Sequence, residues 1–311
     1  MTDLIASLLA EQGFVILDGG LATELEQRGA DLDHFLWSAK LLAEAPELIR
    51  AVHLDYLHAG ADVIATATYQ ASFGGFAKAG FDREHAERLM RLSVDLALQA
   101  RDRFWAEPAN REGRLEPLVA ASIGPYGACL HDGSEYHGNY GVSRQEILDF
   151  HRPRLDILAD TQADLFAFET IPSREEAEVL IELMADYPGW TAWLSFSCRD
   201  GERVSHGEPF AECAALADAS NQVVAVGINC TPPQYVSSLL DAAGRVRTPL
   251  AVYPNSGEHW VASENRWDGQ ECGIFPVSDW HARGARILGG CCRTGPEDIR
   301  GMRAALKKLA V

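Results

Sequence analysis

Val223-Val-Ala-Val-Gly-Ile-Asn-Cys230 is a run of six apolar or small residues that ends in an amide and a thiol. Apolar residues that do not alternate with polar ones mark a strand covered on both faces, the habit of parallel sheets under helices. Seven more runs of this kind lie along the chain. Upstream are Val15-Ile-Leu-Asp-Gly19, Asp62-Val-Ile-Ala-Thr-Ala-Thr-Tyr69, Pro117-Leu-Val-Ala-Ala-Ser-Ile-Gly-Pro125, Asp164-Leu-Phe-Ala-Phe-Glu-Thr170 and Thr191-Ala-Trp-Leu-Ser-Phe-Ser197. Downstream are Pro249-Leu-Ala-Val-Tyr-Pro-Asn255 and Arg286-Ile-Leu-Gly-Gly-Cys-Cys292. Amphipathic stretches separate most of them, among them Pro46 to Leu57, Glu84 to Arg103 and Ser173 to Met184. Ser173 followed by Glu175 and Glu176 reads as a capped helix start. Eight alternations of strand and helix without a fingerprint glycine loop favour a closed (β/α)8 TIM barrel over an open doubly wound sheet. The expectation is one barrel domain spanning residues 1–311.

The polar residues are distributed unevenly along these strands. Asp18, Thr68, Tyr69, Ser122, Glu169, Ser197, Asn229, Cys230, Asn255, Cys291 and Cys292 all fall at C-terminal strand ends, whereas the starts carry little beyond Asp62 and Asp164. In a barrel the C-terminal ends converge on one mouth, the usual active-site face. Convergence brings Cys230 within reach of the vicinal pair Cys291 and Cys292. Adjacent cysteines do not readily bond each other, because a disulfide needs a specific Cα spacing and dihedral. They can share one soft metal, and a third thiolate then fills three of the four positions around Zn²⁺. Structural zinc sites close all four positions with protein, while catalytic ones leave one open. Three sulfurs without an obvious fourth ligand point to a reactive zinc at the mouth; the competing reading is three unrelated small core residues.

Composition narrows the partners. The chain has 311 residues, 47% of them hydrophobic, and a formal net charge of −18. Such a balance argues against nucleic acid or an anionic membrane as partner and suits a cationic ligand. Seven cysteines, an odd number without regular spacing, and no apolar run near 18 residues lead to the expectation of a cytoplasmic protein with reduced thiols. The polar stretch Ala106 to Glu116 reads as a surface connection. Two longer insertions follow strands and overhang the mouth: Tyr126 to Val142, with His-Asp-Gly-Ser-Glu-Tyr-His-Gly-Asn-Tyr-Gly, and Ser256 to Ile274, with Trp260, Trp267 and Cys272. Both are too long for minimal connections and suit a lid. His131, His137, His259 and His281 lack paired metal spacing, and Cys129, Cys198, Cys213 and Cys272 are expected to be non-ligands.

Several segments resemble the zinc-dependent homocysteine S-methyltransferases. They are Leu17-Asp-Gly-Gly-Leu-Ala-Thr-Glu-Leu25, Leu36-Trp-Ser-Ala-Lys40, Gly227-Ile-Asn-Cys230, Tyr253-Pro-Asn-Ser-Gly-Glu258 and Gly289-Gly-Cys-Cys-Arg-Thr294. The resemblance runs from about residue 10 to the C-terminus. Ser122-Ile-Gly-Pro-Tyr-Gly127 and His151-Arg-Pro-Arg154 are similar to the short bacterial enzymes that take methyl from S-methylmethionine. The resemblance implies that Cys230, Cys291 and Cys292 bind zinc and that Asp18 and Glu169 hold substrate amino groups. Trp37 matches an aromatic near the donor's cationic centre in the related betaine enzymes, where a tryptophan face favours a cation by ~0.5–2 kcal/mol. A tyrosine that ligates zinc in the substrate-free betaine enzyme is replaced by Gln70, with Tyr69 one residue earlier. Asn229 and Asn255 complete the substrate-side set, with the task of orienting loops and cysteines.

The chemistry is consistent with those assignments. A thiol on zinc is deprotonated, so homocysteine in the open position would be a thiolate at neutral pH. Three cysteinates leave the site anionic, which suits attack on a sulfonium methyl. The expected reaction moves a methyl group from S-methylmethionine, or S-adenosylmethionine, to homocysteine and forms methionine. Betaine is the alternative donor, and a non-catalytic zinc or thiol redox-sensing barrel is the alternative class. A folate donor is not expected, since the folate-dependent homologues of the family it resembles carry a further pterin-binding domain and these 311 residues leave no room for one.

Overall fold

The computed structural model describes residues 3–32, 34, 36–261, 266–270 and 272–309. Eight parallel strands form its centre: β1 (Val15–Ile16), β2 (Val63–Ala65), β3 (Leu118–Ile123), β4 (Leu165–Ile171), β5 (Ala192–Phe196), β6 (Val223–Asn229), β7 (Leu250–Tyr253) and β8 (Ala285–Leu288). Each overlaps one of the eight apolar runs, with β4 continuing to Ile171 and β8 starting at Ala285, one residue outside theirs. Strands follow one another in sequence order, and β8 returns to β1 through Val15↔Ile287 and Ile16↔Leu288. A single parallel bridge, Leu17↔Val63, joins β1 to β2 and closes the ring.

Side-chain alternation divides the core into two layers. Val15, Leu17, Val63, Leu118, Ala120, Leu165, Ala167, Trp193, Ala225, Ala251, Tyr253 and Ile287 fill the barrel interior. Ile16, Ile64, Val119, Phe166, Phe168 and Leu194 face the surrounding helices. Burial on both faces is why these strands lack a polar alternation. The helix Leu4–Gln12 sends Ile5 and Leu8 into the interior cluster.

The expected helices occur; the first two run slightly longer, and the third starts one residue later, after its cap. Pro46–Ala59 starts with proline in its first turn and stops at Gly60, whose φ of 113° terminates it. Arg83–Ala106 begins where the Asp82 side chain accepts the His85 N–H. Arg174–Met184 begins where Ser173 accepts the Glu176 N–H. The connection after Ala106 holds only the 3₁₀ turn Pro108–Arg111. The insertion after β3 winds into two 3₁₀ turns, Tyr126–Leu130 and Ser134–Tyr136. The insertion after β7 is not a plain loop: His259–Val261 and Arg266–Asp268 pair as an antiparallel hairpin. Residues 262–265 and 271 of that insertion lie outside the described residues.

Candidate active site

Strands β6 and β8 finish on the same side of the barrel, and the residues just beyond them carry the thiols. Cys230 has φ 48°, a left-handed backbone uncommon for a residue with a Cβ. Its N–H donates to the Tyr253 carbonyl at 3.2 Å, and the Cys291 N–H donates to the Pro254 carbonyl at 2.8 Å. The Ser256 N–H donates to the Cys292 carbonyl at 3.1 Å. Both cysteine segments are thus tied to one stretch, 253–256. Gly227 permits the close approach of β6 and β7, since a Cβ there would lie 1.9 Å from the Ala251 carbonyl oxygen.

The three sulfurs lie within 4.8 Å of one another, with Cys230 and Cys292 Sγ 3.7 Å apart. A tetrahedral site with metal–sulfur bonds of about 2.3 Å has sulfur–sulfur edges of about 3.8 Å, so the trio has the spacing to hold one soft cation. Acidity supports that reading. Hydrogen bonds from the Cys291 and Cys292 thiols hold Cys230 well below the ordinary thiol range. The same pairing, together with burial, pushes Cys291 and Cys292 well above it. Protein groups therefore favour one thiolate, and a second and third need a cation beside them.

A cavity of about 420 Å³ opens on the sulfurs. Asp18, just past β1, accepts the Ala65 N–H at 2.8 Å. Burial, and secondarily the charge of Glu169, raises its carboxyl well above the usual range against the lowering effect of that hydrogen bond. Glu169 accepts the hydroxyls of Ser122 and, at 3.2 Å, Tyr253. Burial pushes its carboxyl up to about 7 despite both bonds. Five carboxylates, Asp18, Glu26, Asp31, Glu135 and Glu169, line the cavity, and no Lys or Arg does so among the described residues. Partly dehydrated carboxylates that repel each other favour an incoming cation.

Trp37 and Tyr69 form part of the wall, ring edge to ring face, with centroids 6.0 Å apart at 68°. Gln70 also reaches the wall, but its Nε2 donates to the Ala128 carbonyl at 2.8 Å and so holds the loop after β3. Asn229 and Asn255, expected on the substrate side, lie behind the wall because their amides are engaged by the protein. Asn229 Oδ1 accepts the Thr170 N–H at 2.7 Å, and its Nδ2 donates to Thr170 Oγ1 at 2.8 Å and lies 3.9 Å from Cys291 Sγ. It thereby fixes Thr170 at φ 61° beside Glu169 and links that strand end to the sulfurs. Asn255 Oδ1 accepts the Gly257 N–H at 3.0 Å and shapes the turn after β7.

Two functional candidates emerge that strand-end reasoning passed over. The Tyr136 hydroxyl is 3.3 Å from Cys230 Sγ, and Glu135 lines the cavity. Both come from the loop after β3, whose acidic and aromatic composition was the available signal.

Fold and site together define a (β/α)8 barrel enzyme with a trio of thiols over an acidic mouth. The homocysteine S-methyltransferase family model matches residues 15–306, and the chain belongs to that family. The homocysteine S-methyltransferase YbgG of Bacillus subtilis is 47% identical over 309 residues, covering 98% of each chain. The homocysteine S-methyltransferase of Escherichia coli is 48% identical over 305 residues, covering 96% of this chain and 97% of that one. The metallated form of the E. coli homocysteine methyltransferase MmuM superposes with a TM-score of 0.87 at 46% identity, covering 97% of this chain and 100% of that one.

Proposed function

We propose that this barrel, one homocysteine-binding domain over residues 1–311, transfers a methyl group from S-methylmethionine to homocysteine, giving two molecules of methionine. The observation that carries the reading is the juxtaposition of three thiols with a cavity wall that holds five carboxylates and, among the described residues, no Lys or Arg. S-adenosylmethionine, a sulfonium of the same chemistry, is a secondary donor. Cys230, Cys291 and Cys292 would hold Zn²⁺, the borderline-soft cation that suits thiolate donors. Bound there, zinc supplies the charge that keeps the homocysteine sulfur a thiolate at neutral pH. MmuM, a relative at 46% identity, has been crystallised in a metallated form, which supports a metal at this site.

The chain's own residues position the reactants. Asp18 and Glu169 receive the homocysteine ammonium, which offsets their mutual repulsion. The Ser122 and Tyr253 hydroxyls orient Glu169. Trp37 presents a ring to the donor's sulfonium, and Tyr69 sets the angle of that ring. Asn229 and Asn255 hold the strand ends that carry Glu169 and the cysteines. In the transfer the methyl–sulfonium bond breaks and a methyl–sulfur bond forms on homocysteine. The bonding pair stays on the leaving sulfur, which becomes a neutral thioether, and the thiol proton leaves to solvent. Aligning the two sulfurs and the methyl carbon is the main task left to the protein. All seven cysteines are free, which suits a cytoplasmic setting, and no helix among the described residues is long and apolar enough to cross a membrane.

A donor panel tests the proposal: initial rates of methionine formation with homocysteine saturating and S-methylmethionine, S-adenosylmethionine or betaine at matched concentration. S-methylmethionine should be fastest and betaine slowest. Betaine turning over fastest would overturn the donor assignment.

A further inference from the structure

The reaction proposed above joins two amino acids, so two α-ammonium groups enter one cavity, and Asp18 with Glu169 accounts for only one. We infer that Glu135 binds the α-ammonium of the methyl donor, an inference that rests on that two-amino-acid reading. Glu135 Oε2 is removed from solvent and has no hydrogen-bond partner among the described residues, although the side chain lines the cavity. A buried acceptor without a donor is costly, and a ligand N–H would satisfy it. A sulfonium carries no N–H, whereas an ammonium offers three, so the ammonium is the group selected. Burial pushes the Glu135 carboxyl up to about 7, the mark of a site that lacks its counter-charge.

Its location separates it from Asp18, while Glu169, at the end of β4, lies one strand away. Asp18 follows β1, while the Glu135 carbonyl accepts the hydroxyl of Ser197, which follows β5, at 3.1 Å. In a ring of eight strands in sequence order, β1 and β5 lie across the mouth from each other. Cys230, just past β6, lies next to Tyr136 and within the electrostatic reach of Glu135. Two amino-acid tails anchored at different strand ends leave their sulfurs free to line up for an in-line transfer.

The loop is held too firmly for Glu135 to find another partner by swinging away. Glu176 accepts the Tyr126 N–H and the Tyr140 hydroxyl, each at 2.6 Å, and pairs with His151 Nε2 at 2.9 Å. Arg154 donates to the Gly124 and Tyr69 carbonyls at 3.0 and 2.8 Å. His151 and Arg154, singled out in the sequence without a role, thereby anchor the donor side of the mouth.

The test is steady-state kinetics of Glu135→Gln, which keeps the shape and removes the charge, with metal content and circular dichroism as checks on folding. The KM for S-methylmethionine should rise about tenfold or more, while the homocysteine KM and bound metal stay within about twofold. With 3-(dimethylsulfonio)propionate, a sulfonium donor that has no ammonium, the loss relative to wild type should shrink at least about fivefold. Glu135→Asp, which keeps the charge, should recover part of the affinity. A rise in the homocysteine KM instead, an equal loss with both donors, or no change with S-methylmethionine would overturn the inference. Wild-type enzyme inactive with S-methylmethionine would overturn the donor reading and this inference together. Active wild type beside an unaltered Glu135→Gln variant would overturn the inference alone.

Discussion

The two ends of the barrel hold buried carboxylates in opposite ways. At the closed end, Asp62 receives Arg303 Nη1 on both oxygens at 2.8 Å, Arg114 at 3.4 Å and the Ile16 N–H at 3.0 Å. Asp164 there accepts the Val119 N–H at 2.7 Å and faces Arg101 at 3.3 Å. At the mouth, Asp18, Glu135 and Glu169 have no Lys or Arg in the cavity wall with them among the described residues. One end spends its charge on closing the barrel, and the other leaves it for what binds. This division also explains why an acidic surface alone says little, whereas acidic residues without basic partners inside a cavity specify a cationic ligand.

The largest effect that would sharpen the contrast is at the closed end. Asp62→Ala strands Arg303 and Arg114 and should cost about 3–5 kcal/mol of folding stability. Chemical denaturation measures it, and the KM values of the folded fraction should not move. A stable variant with altered KM would blur the division between the two ends. Asp18→Asn and Glu169→Ala should do the reverse: about 1.5–3 kcal/mol lost in homocysteine binding, seen as a raised KM, with metal content and melting temperature retained. Unchanged kinetics in both would leave these carboxylates structural.

A pH profile separates the ends further. Glu169 must be charged to receive an ammonium, and its pKa is raised to about 7. The kcat/KM for homocysteine should therefore be at its plateau above that value and fall as pH drops through it, by about tenfold per unit in the limit. In Glu169→Gln that limb should disappear, and its persistence would assign the titration to another group. The smallest effect is expected at Trp37. Replacing it by Leu should raise the donor KM by the equivalent of about 0.5–1 kcal/mol, leaving the homocysteine KM in place.

The barrel was legible because its strands are buried on both faces, which writes eight uninterrupted apolar runs into the sequence. Asp18, Glu169 and the cysteines were legible because a strand end in a barrel has a fixed destination. Loops carry no such period. The seating of Glu135 and Tyr136 depends on Ser197 and Glu176, distant in sequence, so composition identified the segment but not the residues. Asn229 and Asn255 show the converse: their strand-end positions are right, yet backbone N–H groups claim their amides. The hairpin after β7 was hidden because its two strands are only three residues each.

The central claim is that the thiol trio is a metal site on which the reaction depends. Its most direct measurement is zinc per chain together with methionine formation from homocysteine and S-methylmethionine, in the wild type and in Cys291→Ala. The wild type should hold about one zinc, and Cys291→Ala should lose both metal and turnover while keeping its barrel. Full zinc content and full turnover in Cys291→Ala would contradict it.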